Sequence, residues 1–158
     1  MRVSIVIVLI ASAVLVTVPA SAQEISGKAR MIDGIRLWVG DTKVRLCGVQ
    51  QIPPGTARHG AAENVLDMLT NHGRIDCVRV GEGTPCDGKM PPTDRGYLVA
   101  QCFLNGVDIV KKMACSGHAL PKREFSGRYY LRYSKHPGRR VFGKDACAGG
   151  LKPDRPAK

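Results

Sequence analysis

Asp33, Asp41 and Arg45 lie in one short stretch, DGIRLWVGDTKVRL, and Asp94 and Arg95 are adjacent further on in TDRGY. A guanidinium can hold a phosphate, and carboxylates can hold a hard cation. Each residue also has a plainer reading. Arg45 is either a phosphate ligand or a solvated strand arginine. Asp33 with Gly34 suits a turn. Asp41 and Asp94 are either turn acids or the ligands of a displaced metal site. The four histidines (59, 72, 118 and 136) are scattered, and His118, after Gly117, suits a surface or capping role. No Ser-His-Asp or Cys-His arrangement can be read from spacing. The cysteines show no CxxC and no zinc-type Cys/His spacing, so no metal is assigned to them.

A second concentration of chemistry lies at 121–144, PKREFSGRYYLRYSKHPGRRVFGK. It carries eight Lys and Arg against one acid, Glu124, with Phe125, Tyr129, Tyr130, Tyr133 and Phe142 interleaved. Such alternation can track a phosphate backbone while rings stack on bases. It can equally be a packing segment whose rings cover a core while its cations face water. Packing suits Phe125 and Phe142. Binding suits Arg128 and Tyr130, with Tyr129 and Arg132 beside them.

The elements that must position these residues follow from the hydrophobic pattern. Residues 28–32, 36–39 and 43–49 are short and β-leaning, separated by Asp33-Gly34 and Gly40-Asp41, and predict a three-strand meander. From 57 to 72, Ala61, Ala62, Val65, Leu66, Met68 and Leu69 recur at helical spacing, with Gly73 as the stop. Strands follow at 75–80 and 97–104, with a polar loop at 81–95 between them. A second helix at 107–116 follows the Asn105-Gly106 turn. The order βββ-α-ββ-α predicts an α+β, mainly β fold. It is a five-stranded OB-type barrel with two or three helices.

The ends set the context. Arg2 precedes an apolar run to Val18, closed by Ala20-Ser21-Ala22. This predicts a signal peptide over 1–22, a domain over 23–151 and a basic tail over 152–158. The expected mature chain is exported, periplasmic or secreted, with no transmembrane segment. The charge is +11, or +10 without Arg2, which favours a polyanion such as nucleic acid or acidic polysaccharide. All six cysteines lie in the mature part, and export predicts disulfides. Cys77 and Cys102, on consecutive strands, are expected to face each other and bond. Cys86 and Cys147 form a candidate pair stapling the tail to the barrel. Cys47 and Cys115 then pair or stay as buried thiols.

The segments DGIRLWV, VRLCGVQQIP, TDRGYLVAQC and DIVKKMACSGHA resemble, in order and element type, the thermonuclease (staphylococcal-nuclease-like) family over residues 28–119. The resemblance implies calcium held by carboxylates, a Glu acting on water, and two arginines on the phosphate. In this chain the metal carboxylate positions hold Ile35 and Gln50, and the Glu position holds Pro53. Arg45 matches the first arginine. The second falls on Tyr97, with Arg95 two residues earlier and on the same strand face if the strand extends that far. Loss of a general base alone costs a rate factor of ~10²–10⁴. The resemblance therefore implies a pseudoenzyme that binds an anionic polymer and needs no cofactor. Two alternatives stand beside it. One is an active metal-dependent phosphodiesterase with relocated ligands, using calcium. The other is an envelope accessory protein, as exported members of the family are associated with exopolysaccharide (succinoglycan-type) biosynthesis. The oligomeric state is not legible.

Overall fold

The structure, a computed structural model, describes residues 25–134 together with Cys147 and Asp154. The expected signal peptide, the tail apart from Asp154, and the basic-aromatic segment beyond Ser134, with Phe142, lie outside the described residues.

Strands β1 (Ile25–Asp33), β2 (Arg36–Val39) and β3 (Thr42–Leu46) form an antiparallel meander. The Asp33 carboxylate makes the first turn by accepting the backbone N–H groups of Ile35 and Arg36, both at 3.0 Å. Gly40, at φ 55°, supplies the left-handed conformation that the second turn needs. A short β4 (Val49–Gln50) and helix α1 (Ala57–Asn71) follow. Thr56 caps α1, its hydroxyl accepting the His59 N–H at 3.1 Å. Ala62, Leu66 and Leu69 are its buried stripe.

β5 (Arg74–Arg79) pairs with the free edge of β1. After β6 (Thr93–Asp94), β7 (Tyr97–Leu104) pairs antiparallel with β5 and parallel with β3. The order β3-β2-β1-β5-β7, returning to β3, closes a five-stranded mixed barrel. The fold is α+β, mainly β and OB-like. Side chains alternate along each strand. Leu37, Val39, Val44, Leu46 and Ile75 are fully or nearly fully buried, while Lys28, Arg30 and Lys43 are exposed.

β6 and β8 (Val107–Asp108) pair with β7 outside the barrel. Helix α2 (Ile109–Cys115) then starts two residues later than periodicity predicts, because 107–108 first complete a hairpin across Asn105-Gly106. Likewise, β3 stops at Leu46 rather than 49, because Val49–Gln50 leaves the barrel to pair with β9 (Leu120–Pro121). A single-turn helix, α3 (Arg123–Ser126), follows. Among the described residues no helix is long and apolar enough to cross a membrane.

Three disulfides fasten this frame. Cys77 and Cys102 are opposed in register on β5 and β7 and are bonded, with Cα atoms 4.1 Å apart. The other expected pairing is corrected: Cys86 bonds Cys47, and Cys147 bonds Cys115. The loop before β6 folds down onto the end of β3, which brings Cys86 to Cys47. Cys147 instead meets the last residue of α2.

Candidate functional site

Arg36, Arg45, Asp94 and Arg95 come from distant parts of the chain and meet at one end of the barrel. They line a cleft of about 170 Å³ with Ile35, Gln50, Gln51 and Tyr97. Two loops form its rims. One is the β1–β2 turn, and the other is the β6–β7 hairpin.

Arg45 is the floor. It is 9% exposed, which is unusual for an unaided guanidinium. Its Nε pairs with the Asp94 carboxylate at 3.0 Å, and one terminal nitrogen donates to the Val49 carbonyl at 3.3 Å. The other terminal nitrogen lies 3.8 Å from the Met90 sulfur, and the Phe125 ring sits 5.6 Å away. Burial pulls its pKa down, and Asp94 opposes that shift. Arg45 is thus neither a plain solvated strand residue nor a free phosphate clamp. It is a fixed positive charge under the cleft.

Arg36 is held on one side by Asp33, to which it donates, and on the other by the Tyr97 ring at 5.1 Å. The hydrogen bond it donates to Asp33 pushes its pKa up. Asp33 therefore forms the turn and orients Arg36 in one arrangement. Arg95 is exposed and lies in the turn between β6 and β7, not on the strand. Its φ of 50° and that of Gly96, 83°, describe a tight hairpin turn with both central residues left-handed. The strand does not extend as far as Arg95: β7 begins at Tyr97, and a turn carries Arg95 to the cleft.

The loop on the far side is tied down close by. Met90 is buried, its sulfur accepts the Gly48 N–H at 3.2 Å, and the Cys47–Cys86 bond lies two residues from Arg45. Asp87 folds this loop by accepting the N–H groups of Gly81, Gly83 and Thr84 and the Thr84 hydroxyl. Desolvation works against its charge, yet these four bonds together hold its pKa below the ordinary value. The sulfur contact to Arg45 is a feature that sequence reasoning misses, since Met90 stands in a polar loop with no periodicity to flag it.

The post-helix aromatics are placed differently from the binding expectation. Tyr130 is fully buried and its hydroxyl donates to Asp108 at 2.8 Å. Its ring fills the space over Gly48, where an added Cβ would lie 2.3 Å from it. Tyr130 is therefore a core residue, correcting its assignment to a stacking surface. Asp108, also fully buried, accepts from Gln101 and caps α2 through the N–H groups of Val110 and Lys111. Burial pushes Asp108 up against these bonds, and burial with the neighbouring carboxylate pushes Tyr130 well above its ordinary value. Tyr129 and Tyr133 enclose the Lys111 ammonium at 4.9 and 5.2 Å. Lys111 also pairs with Asp154. Arg128 and Arg132 are exposed, and Arg132 sits over Tyr129 at 5.5 Å. None of Arg128, Tyr129, Tyr130 or Arg132 lines the cleft.

Calcium does not fit this site. The ion takes about six to eight oxygens, mostly anionic. The lining offers one carboxylate, Asp94, already paired with Arg45, beside two amides and three guanidinium groups. Among the described residues no group of three or more His, Cys, Asp or Glu is gathered as a metal site. Asp41 lies in the exposed β2–β3 turn and is not in the lining. Pro53 is exposed and absent from it too. The lining thus brings the guanidinium groups of Arg36 and Arg95 together over the buried charge of Arg45.

No protein-family model matches the chain, and no curated protein matches it.

Proposed function

We propose that this is an exported, thermonuclease-like protein whose catalytic constellation is impaired and which binds an anionic polymer, single-stranded nucleic acid in the first instance. The observation that carries the reading is the cleft itself. Three arginines and one carboxylate converge where two loops of an OB-like barrel meet, a location that OB-folds use for oligonucleotides and oligosaccharides. Of the two rim arginines, Arg36 is held by Asp33 and Tyr97, and Arg95 is carried to the cleft by its turn. Gln50, Gln51 and Ile35 supply no general base, and the charge of Asp94 is engaged by Arg45. These residues support binding without turnover. The three disulfides agree with an oxidising compartment.

The test is fluorescence anisotropy of oxidised mature protein with a labelled oligonucleotide across a salt series. Affinity should fall steeply with salt, because each phosphate contact releases counterions. Arg36→Gln and Arg95→Gln should each flatten the log–log slope by ~0.7 for a single strand. Unchanged slopes in both variants would place binding elsewhere. Cleavage of the oligonucleotide that EDTA stops would instead establish a metal-dependent phosphodiesterase.

A further inference from the structure

The outer face of β1–β2–β3 continues the cleft. Arg36 and Trp38 are two residues apart on β2, so they project to the same side, roughly 7 Å from each other. Trp38 is opposed in register by Arg30 on β1 and by Lys43 on β3. The Arg30 guanidinium and the Lys43 ammonium lie 5.7 and 5.1 Å from its ring centroid. Arg30 and Lys43 are exposed, and Trp38 is half-buried between them. The only acid on these three strands is Asp33, which is buried and bound to Arg36. No carboxylate within the three strands offsets Arg30 or Lys43. Among the described residues neither Arg30 nor Lys43 is in an ion pair, so both cations beside this ring are unpaired, whereas of the two cations over Tyr129 only Arg132 is. Lys111 over Tyr129 also has Asp154, and Arg45 over Phe125 also has Asp94.

We infer that Trp38, Arg30 and Lys43 form a second subsite, which takes the next base and its flanking phosphates of a single-stranded nucleic acid leaving the arginine cleft. The inference rests on the binding reading above and extends it along β2. A ring with cations on two sides matches a base with a phosphate on each side. The ring offers a sequence-tolerant stacking surface, and the cations offer contacts to the backbone. Charge complementarity decides for a polyanion over a protein partner, and the aromatic decides for a base.

Trp38 is the sole tryptophan, so its fluorescence reports this subsite alone. Oxidised mature protein is titrated with (dT)2 and (dT)12, reading tryptophan emission and the anisotropy of labelled strands together. The expected result is that (dT)12 quenches Trp38 while (dT)2, confined to the cleft, does not. Trp38→Ala should weaken (dT)12 binding roughly 5- to 150-fold, the range for loss of one stacked base, and Trp38→Phe should restore most of it. The exposed pair Arg30→Gln/Lys43→Gln, which removes no packed ring, should reduce the salt slope by ~1.4. If (dT)12 binds but emission is unchanged and Trp38→Ala and the double variant bind like the parent, the subsite is overturned and the cleft stands. If neither strand binds, both readings fall. An acidic polysaccharide that displaces (dT)12 more effectively than unlabelled (dT)12 overturns the assignment to nucleic acid.

Discussion

Arg45 and Tyr130 show how little a residue's type says about its availability. Arg45 keeps its charge under the cleft because Asp94 and the Val49 carbonyl receive it. Asp94 also competes with an incoming phosphate for the same guanidinium. Asp94→Asn should therefore tighten oligonucleotide binding severalfold while lowering stability by about 1 kcal/mol, since a largely buried cation loses a partner that is partly exposed and screened by solvent. Anisotropy and urea unfolding measure the two effects separately. Weaker binding in this variant would show that the Asp94–Arg45 pair builds the site instead of masking it. For Tyr130 the expectation is the reverse. Tyr130→Phe removes the hydrogen bond to Asp108 and should cost ~1.5–3 kcal/mol, the range for bonds to charged groups. Oligonucleotide affinity should be unchanged, because the ring is shut inside. A sequence reader sees an Arg-rich, Tyr-rich segment and cannot tell which ring faces inward. The decision is made by Gly48, whose missing Cβ leaves the space that Tyr130 fills.

The loop between β5 and β6 packs against the strand end that carries Arg45. Asp87 organises it through four hydrogen bonds that favour the carboxylate. Its pKa is lower folded than the ordinary value of 3.8. The folded state therefore binds that proton less readily than the unfolded chain does. The stabilisation is complete above the ordinary value and is lost as pH falls through the lower, folded one. Urea unfolding between pH ~6 and ~2.5 should show the parent losing stability at the acidic end, and Asp87→Asn losing less. Parallel curves would mean that the loop does not feel this charge. Hydrogen exchange at one of Gly81 and Gly83 should quicken in the variant, because the two amides donate to different oxygens of Asp87 and Asn keeps only one as an acceptor. At this scale much is legible beforehand. The strands and helices follow from alternation and helical period, and the loop is recognisable as polar. What it docks against is not legible, because Cys86 and Met90 contact the end of β3 across many intervening residues.

For the whole molecule, two of the three disulfides differ in role. Cys77–Cys102 ties strands that already pair, whereas Cys47–Cys86 ties the loop to the strand that carries Arg45. Each should contribute ~2–5 kcal/mol to stability. Cys47→Ser/Cys86→Ser should in addition weaken oligonucleotide binding, because Met90 and the loop lose their anchor beside Arg45. Cys77→Ser/Cys102→Ser should lower the melting temperature without that loss of affinity, measured below the transition. Equal affinities for both variants would show that the loop holds its place without the bond.

The sequence by itself determined the order of elements, the OB-like class and the surplus of positive charge. Those depend on local periodicity and composition, which each stretch carries within itself. It also marked Ile35 as a side chain that cannot ligate calcium and Pro53 as one that cannot act as a base, since side-chain type alone settles that. Only the tertiary structure decided that Arg36, Arg45 and Arg95 share one cleft, that Tyr130 is inside, that Cys47 and not Cys147 meets Cys86, and that Trp38 stands between Arg30 and Lys43. Those are relations between residues far apart in the chain. Barrel closure through the parallel β3–β7 pairing and the fold of one loop onto β3 fix them, and neither leaves a mark on any single stretch of residues.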